Sequence, residues 1–184
     1  ALSPERPVTR GTAENPETFF THREACNAHY NAIPDVVEHY LGEISKITGR
    51  EYHNFSYYGA EDAENVIILM GSATEAAREA IDYLMGQGKK VGMVAVHLYR
   101  PFSIKHLFAA VPKTVKKIAV LDRTKEPGAE GEPLYLDVKS AYYDQENRPV
   151  IVGGRYGLGS SDITPAKIIS VYNNLELPEP KNHF

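Results

Sequence analysis

Through most of this chain, unbroken apolar runs alternate with segments whose apolar positions recur at helical spacing. Residues 65–70 (NVIILM) are the clearest run, the mark of a strand covered on both faces. Gly71 interrupts it, and Ser72 with Glu75 has capping-box spacing. The helix this predicts carries Ala76, Ala77, Ala80, Ile81 and Leu84 on one side and fades at Gly86 and Gly88. Residues 91–96 form a second apolar strand, followed after Pro101 by a short helix with Ile104, Leu107 and Phe108 inside. IAVL at 118–121 is a third strand, closed by Asp122. A loop over 123–131 leads to a helix over 133–143, although LYLDV in that stretch also alternates as a strand does. A last strand covers 150–152, and the glycine-rich GGRYGLGS follows at 153–160. Thr164 then caps a final helix, with Pro165 in its first turn and Ile168, Ile169, Val171 and Tyr172 facing inward.

The two ends read differently. Residues 1–33 are punctuated by Pro4, Pro7, Gly11, Asn15 and Pro16, and Phe19 and Phe20 are their main apolar pair. Such a stretch has little to bury by itself and is expected to be an extended arm lying along a larger surface. Pro34 suits the first position of a helix, with Asp35 and Glu38 complementing its positive end and Gly49 ending it. Val36, Val37, Tyr40, Leu41, Ile44 and Ile47 recur along that helix. The aromatic-rich residues 52–58 predict a short strand before Gly59, and LPEPKNHF at 177–184 reads as a linker stiffened by Pro178 and Pro180.

Strand–helix alternation of this kind requires right-handed crossovers between parallel strands. The fold class that satisfies it is α/β, a three-layer α/β/α sandwich with a mostly parallel sheet spanning residues 34–176.

Composition narrows the function. The 184 residues suffice for one compact domain with an arm. The net charge of −4 argues against a nucleic-acid partner, and the Lys113, Lys116 and Lys117 cluster reads as a solvated strand entry. No apolar run is long enough to cross a membrane and no signal-peptide core opens the chain, so a cytoplasmic protein is expected. The single cysteine, Cys26, reads as structural or incidental and cannot by itself hold an iron–sulfur cluster. The seven histidines include no metal-binding spacing, and neither a phosphate loop nor a G-x-S-x-G elbow occurs.

In an open parallel sheet, ligands gather at the carboxyl ends of the strands, and three turns fall there. The Gly71–Thr74 turn offers helix-start N–H groups and reads as plain capping. GGRYGLGS lacks the order and position of a dinucleotide fingerprint, so Arg155 and Tyr156 are expected to contact a neighbouring domain; a ligand loop is the alternative. DRTKEPGAEGE at 122–132 offers Glu126, Glu130 and Glu132, and reads as a solvent-facing or docking loop. Arg123 and Lys125 in it are further candidates for interdomain contacts.

RGTAENPETFF, HLYRPFS, VLDRTKEPGAEGEPLYLDV and GGRYGLGSSDITPAKIISVYNNL together resemble the pyruvate:ferredoxin (or flavodoxin) oxidoreductase family, from one end of the chain to the other. The resemblance implies a transketolase C-terminal-like fold and a position as second domain of a much longer, multidomain chain. Residues 1–33 would then connect from a preceding thiamine-binding domain, and residues 177–184 would lead into the next one. Ala1 in place of an initiating methionine is consistent with an excised piece. The parent family works as a homodimer and converts pyruvate and coenzyme A to acetyl-CoA and carbon dioxide. Its electron transport runs through 4Fe-4S clusters to ferredoxin or flavodoxin, with thiamine diphosphate and magnesium as further cofactors. Those ligands belong to other domains, so the resemblance implies no catalytic, cofactor-binding or metal residue here. The alternatives are a small-ligand module, cradling coenzyme A, a nucleotide or phosphate in the glycine-rich loop, and a domain of another 2-oxoacid oxidoreductase.

Overall fold

A computed structural model describes residues 3–8, 11 and 13–184. What was expected of Ala1, Leu2, Thr9, Arg10 and Thr12 lies outside the described residues. The chain divides into two compact units, Ala1–Ile33 and Pro34–Phe184.

In the first unit, the expectation of an extended arm is corrected by helix. Helix α1 spans Pro16–Ala25, and α2 (Asn27–Thr48) begins before the unit ends. The cause is local. Asn15 accepts the Thr18 N–H at 3.2 Å and Pro16 takes the first helical position, so the pair starts a helix instead of a loop. Phe19 and Phe20 remain exposed.

Helix α2 likewise does not begin at Pro34, which lies inside it and is buried. A proline inside a helix forfeits one backbone hydrogen bond. The Pro34 carbonyl, for its part, accepts the buried Asn54 side-chain amide at 2.8 Å.

The sheet comprises β1 (Phe55–Gly59), β2 (Asn65–Met70), β3 (Val91–Val96), β4 (Lys117–Asp122) and β5 (Val150–Arg155) in the order β1-β3-β2-β4-β5. All neighbours run parallel except the edge strand β1, which is antiparallel to β3. The sheet separates two cores. On one face, Ile67, Leu69, Met93, Ala119 and Leu121 pack against α3 (Ala73–Gly86) and α6 (Pro165–Glu176). On the other, Val66, Ile68, Val94, Ile118 and Val120 meet Leu107 of α4 (Ile104–Ala110) and the apolar side of α5 (Pro133–Tyr142). The three-layer α/β/α reading therefore holds. Alternate residues of β2 and β4 feed opposite cores, which is why those strands are apolar throughout.

Three local expectations change. Ser72 makes no side-chain cap; Thr74 Oγ1 instead donates to the Gly71 carbonyl at 2.9 Å. Gly153 and Gly154, expected in a loop, lie in β5, because large side chains cover them. A Cβ on Gly153 would stand 3.0 Å from the Tyr135 ring, and one on Gly154 would stand 2.6 Å from the Phe184 ring. The segment expected as a linker folds back on the sheet at its end. Phe184 donates its N–H to the Gly153 carbonyl (3.3 Å) and accepts the Arg155 N–H (2.8 Å), alongside β5.

Gly92 in β3 is a node of close approaches. The buried Tyr172 hydroxyl of α6 donates to its carbonyl at 2.8 Å, Gly59 is its ladder partner, and the Tyr57 ring lies over its Cα.

Candidate functional site

The adjacent strands β2 and β4 send their following helices, α3 and α5, to opposite faces of the sheet. That makes their carboxyl ends the crevice where an open α/β sheet ordinarily receives a ligand. Here the chain fills the crevice with its own groups. Tyr156, just past β5, donates its hydroxyl to the Met70 carbonyl (3.1 Å) and its backbone N–H to the Asp122 carbonyl (3.1 Å). Burial pushes the Tyr156 phenol up, so it stays a neutral donor. Gly157 continues the chain with φ +64°, and the Arg123 guanidinium donates to its carbonyl at 3.3 Å. A Cβ there would stand 2.8 Å from Arg123 Nε, an exposed side chain that can shift, so it is the backbone angle that favours glycine.

Beside it, Asp122 ends β4 and starts α5. Its buried carboxylate accepts the Leu134 N–H at 3.0 Å and the Tyr135 N–H at 3.1 Å, two of the orphan donors of a helix start. Burial raises the Asp122 carboxyl above its usual value, against the pull of those two N–H groups, and the Glu132 and Asp137 charges add to the rise. Asp122→Ala is expected to lower unfolding free energy by about 1–2 kcal/mol, measured by urea denaturation, as a cap is lost and two donors go unpaired.

Glu132 was expected in a solvent-facing loop, and this is corrected: its side chain is only 1% exposed. Its carboxylate lies 2.9 Å from Arg155 Nε, as an ion pair off hydrogen-bond alignment, and 3.7 Å from Lys125 Nζ. It also accepts the Glu126 N–H at 3.4 Å. Burial alone pushes the Glu132 carboxyl upward. The close Arg155 contact and the Glu126 N–H, with the Arg155 and Lys125 charges, outweigh this and hold it below the usual range. Glu126 and Glu130 stay exposed and take no part in the pair.

Of the four candidate contact residues, Arg155 and Tyr156 are thus partly buried and bonded within the domain, while Arg123 and Lys125 are exposed. Between the Tyr156 loop and α6 lies a depression of about 450 Å³, walled by Leu121, Leu158, Ile163, Val171 and Phe184. Of its two cations, Arg155 pairs with Glu132 and Lys167 donates to the Asp162 carbonyl at 2.5 Å; Ser170 donates to the Ala166 carbonyl at 3.0 Å. No histidine or cysteine lines it, and its one carboxylate, Asp162, is exposed.

Two polar clusters escaped sequence reasoning. In LYRPF, the Tyr99 hydroxyl donates to Asp137 at 2.9 Å and Arg100 pairs with the same carboxylate at 2.6 Å, binding the loop after β3 to α5. Burial, then the bond to Asp137, push the Tyr99 phenol up to about 12. The other is a cleft of about 670 Å³ containing His53, His97, Arg78 and Tyr58. His53 Nδ1 lies 2.5 Å from Glu38, and the Tyr58 hydroxyl donates to Asp82 at 2.5 Å. Burial, with the Arg78 and His53 charges, lowers the His97 imidazole. Their partners lie 15 and 24 residues away in sequence, so no short motif announces them. Among the described residues, no group of three or more His, Cys, Asp or Glu is placed to hold a metal ion, and no helix is long and apolar enough to cross a membrane.

Residues 63–168 match the model for "Pyruvate:ferredoxin oxidoreductase core domain II". The chain is 59% identical to a pyruvate-flavodoxin oxidoreductase of Enterobacter agglomerans and 56% identical to one of Klebsiella pneumoniae. It is 49% identical to the pyruvate:ferredoxin oxidoreductase of Moorella thermoacetica. Each match takes in 100% of this chain and 16% of the relative, so the chain spans about a sixth of their length. A solved 2-oxoglutarate:ferredoxin oxidoreductase from Magnetococcus marinus shares the fold at TM-score 0.55 and 22% identity, over 88% of this chain and 24% of that one. The resemblance carried by the four motif strings thus extends over the whole sequence, and the chain belongs to the pyruvate:ferredoxin oxidoreductase family, as its core domain II.

Proposed function

We propose that the chain is a non-catalytic structural domain of a longer pyruvate:ferredoxin or pyruvate:flavodoxin oxidoreductase, holding neighbouring domains in position. The observation that carries this reading is the crevice at the carboxyl ends of β2 and β4, occupied by Tyr156 and bordered by the Glu132–Arg155 ion pair formed within the domain. In the parent, pyruvate and coenzyme A become acetyl-CoA and carbon dioxide, and electrons pass to ferredoxin or flavodoxin. Thiamine diphosphate, magnesium and 4Fe-4S clusters belong to other domains. The residues present do not fit a cluster, since such centres take several thiolates and this chain has one cysteine.

Under this reading, residues 1–33 connect from the preceding domain and residues 177–184 lead to the next. The exposed Arg123 and Lys125 meet a neighbouring domain, while Arg155 and Tyr156 present the loop that supports them. The parent acts as a cytoplasmic homodimer.

Turnover tests it directly. Supplied with pyruvate, thiamine diphosphate, coenzyme A and a viologen acceptor, the isolated chain is expected to form no acetyl-CoA, whereas the full-length enzyme containing it does. Acetyl-CoA formation by the isolated chain overturns the reading. Saturable coenzyme A binding in calorimetry, lost in Gly157→Val, favours instead a ligand site in the depression beside the loop.

A further inference from the structure

Helix α2 has two apolar faces and only one of them is used by the domain. From Pro34 onward, Pro34, Val37, Glu38, Leu41 and Ser45 are buried or half-buried. Glu38 accepts the Asn54 N–H at 2.8 Å from that side. Val36, Tyr40, Ile44 and Ile47 share a separate arc of roughly 80° around the helix, at 100° per residue. They are exposed by 51%, 63%, 45% and 84%. Isolated surface apolar residues are ordinary; four aligned over three turns on one stripe are a contact face.

We infer that this stripe docks against another domain of the same longer polypeptide. The inference rests on the reading of the chain as a domain of that oxidoreductase. Two observations select this occupant over a second copy of the chain. The matched relatives carry most of their length outside the aligned part, which covers 16% of them. The four side chains also offer on the order of 400 Å² of surface, about half of what each partner buries in a stable free-standing complex. A small apolar face suffices when a covalent tether keeps the partner at high effective concentration. No residue of the helix within the stripe is charged: Glu43 and Lys46 lie off its arc and pair with each other at 2.6 Å.

Hydroxyl-radical footprinting of the full-length oxidoreductase and of the isolated chain, read by mass spectrometry at Tyr40, Ile44 and Ile47, tests it. The expected result is labelling about tenfold lower in the full-length protein, because a dry interface core excludes the radical. The isolated chain should label freely and sediment as a monomer. Ile44→Lys with Ile47→Lys should leave its urea midpoint unchanged and restore labelling of Tyr40 in the full-length protein. Equal labelling in both proteins overturns the inference. So does a dimer of the isolated chain that the double substitution dissolves, which would make a second copy the occupant. Full activity with a freely labelled stripe sinks the docking face alone. A protected stripe in a protein that does not oxidise pyruvate sinks the functional reading alone.

Discussion

Glu132→Ala is expected to lower the unfolding free energy by about 3 kcal/mol, because removing one partner of a buried ion pair strands the other. The low end of the usual range applies, since Arg155 keeps 24% of its side chain exposed and can draw back toward water. Urea denaturation of the isolated chain measures the loss. Replacing both partners, Glu132→Leu with Arg155→Leu, is expected to recover more than half of it, since no uncompensated charge then remains. If the double variant is as unstable as the single, the pair is not what holds this corner. The effect also depends on pH with a definite sign. The Glu132 carboxyl titrates lower in the folded than in the unfolded chain. Its contribution is therefore complete above the unfolded value near 4.5 and disappears as pH falls through the lower folded value. Asp122 runs the other way: its raised carboxyl favours the folded state below about pH 3.8, and that contribution is lost as pH rises through the folded value. The gap between wild type and Glu132→Ala should accordingly narrow as pH falls below 4.5 and through the lower folded value of Glu132.

The second large effect is expected at Gly92. Alanine there would put a Cβ 2.2 Å from the Tyr57 hydroxyl and 2.6 Å from its ring carbon Cζ. That ring is not free to leave. Its hydroxyl donates to the Ala60 carbonyl at 2.5 Å, and burial pushes the phenol up to about 12. The strand cannot retreat easily either, because the Tyr172 hydroxyl holds the Gly92 carbonyl from the α6 side. Overpacking of this kind costs about 2–3 kcal/mol. The thermal midpoint of Gly92→Ala measures it, and Tyr57→Ala supplies the control. On that background the same alanine should cost at least about 1 kcal/mol less, because the obstacle is gone. Equal costs on both backgrounds would mean that the clash lies elsewhere.

How much was legible beforehand follows from the range over which each signal acts. NVIILM and VGMVAV are strands because both faces are covered, and that condition writes itself into consecutive residues. Thr164 with Pro165 announces its helix for the same reason, a cap and a first turn being neighbours in sequence. Ser72 misled because Gly71 and Thr74 compete for the same turn, and geometry chose Thr74. Pro34 fits both a helix start and a helix interior with one bond forgone, and composition alone does not separate the two. Glu132 looked solvated in a charged loop. Its burial depends on Arg155, 23 positions later, arriving at the end of a parallel strand. The order β1-β3-β2-β4-β5, and the antiparallel sense of β1, belong to this same long-range class. Arg155 and Tyr156 are singled out by their place in GGRYGLGS, but that Tyr156 bridges the ends of β2 and β4 depends on contacts 86 and 34 residues away in sequence.

The return of the chain to β5 bears on how the protein behaves in a crowded solution. An outermost strand with free amides and carbonyls is a template on which further molecules can add, and repeated addition leads to fibrils. Phe184 occupies the Gly153 carbonyl and the Arg155 amide, and Asn182 takes the Gly153 amide through its side chain. Asn182, at the same time, donates to the Tyr135 hydroxyl at 3.1 Å, which anchors that latch to the layer beneath. The half of β5 nearest the crevice is thereby withdrawn from runaway polymerisation by Phe184 and Asn182.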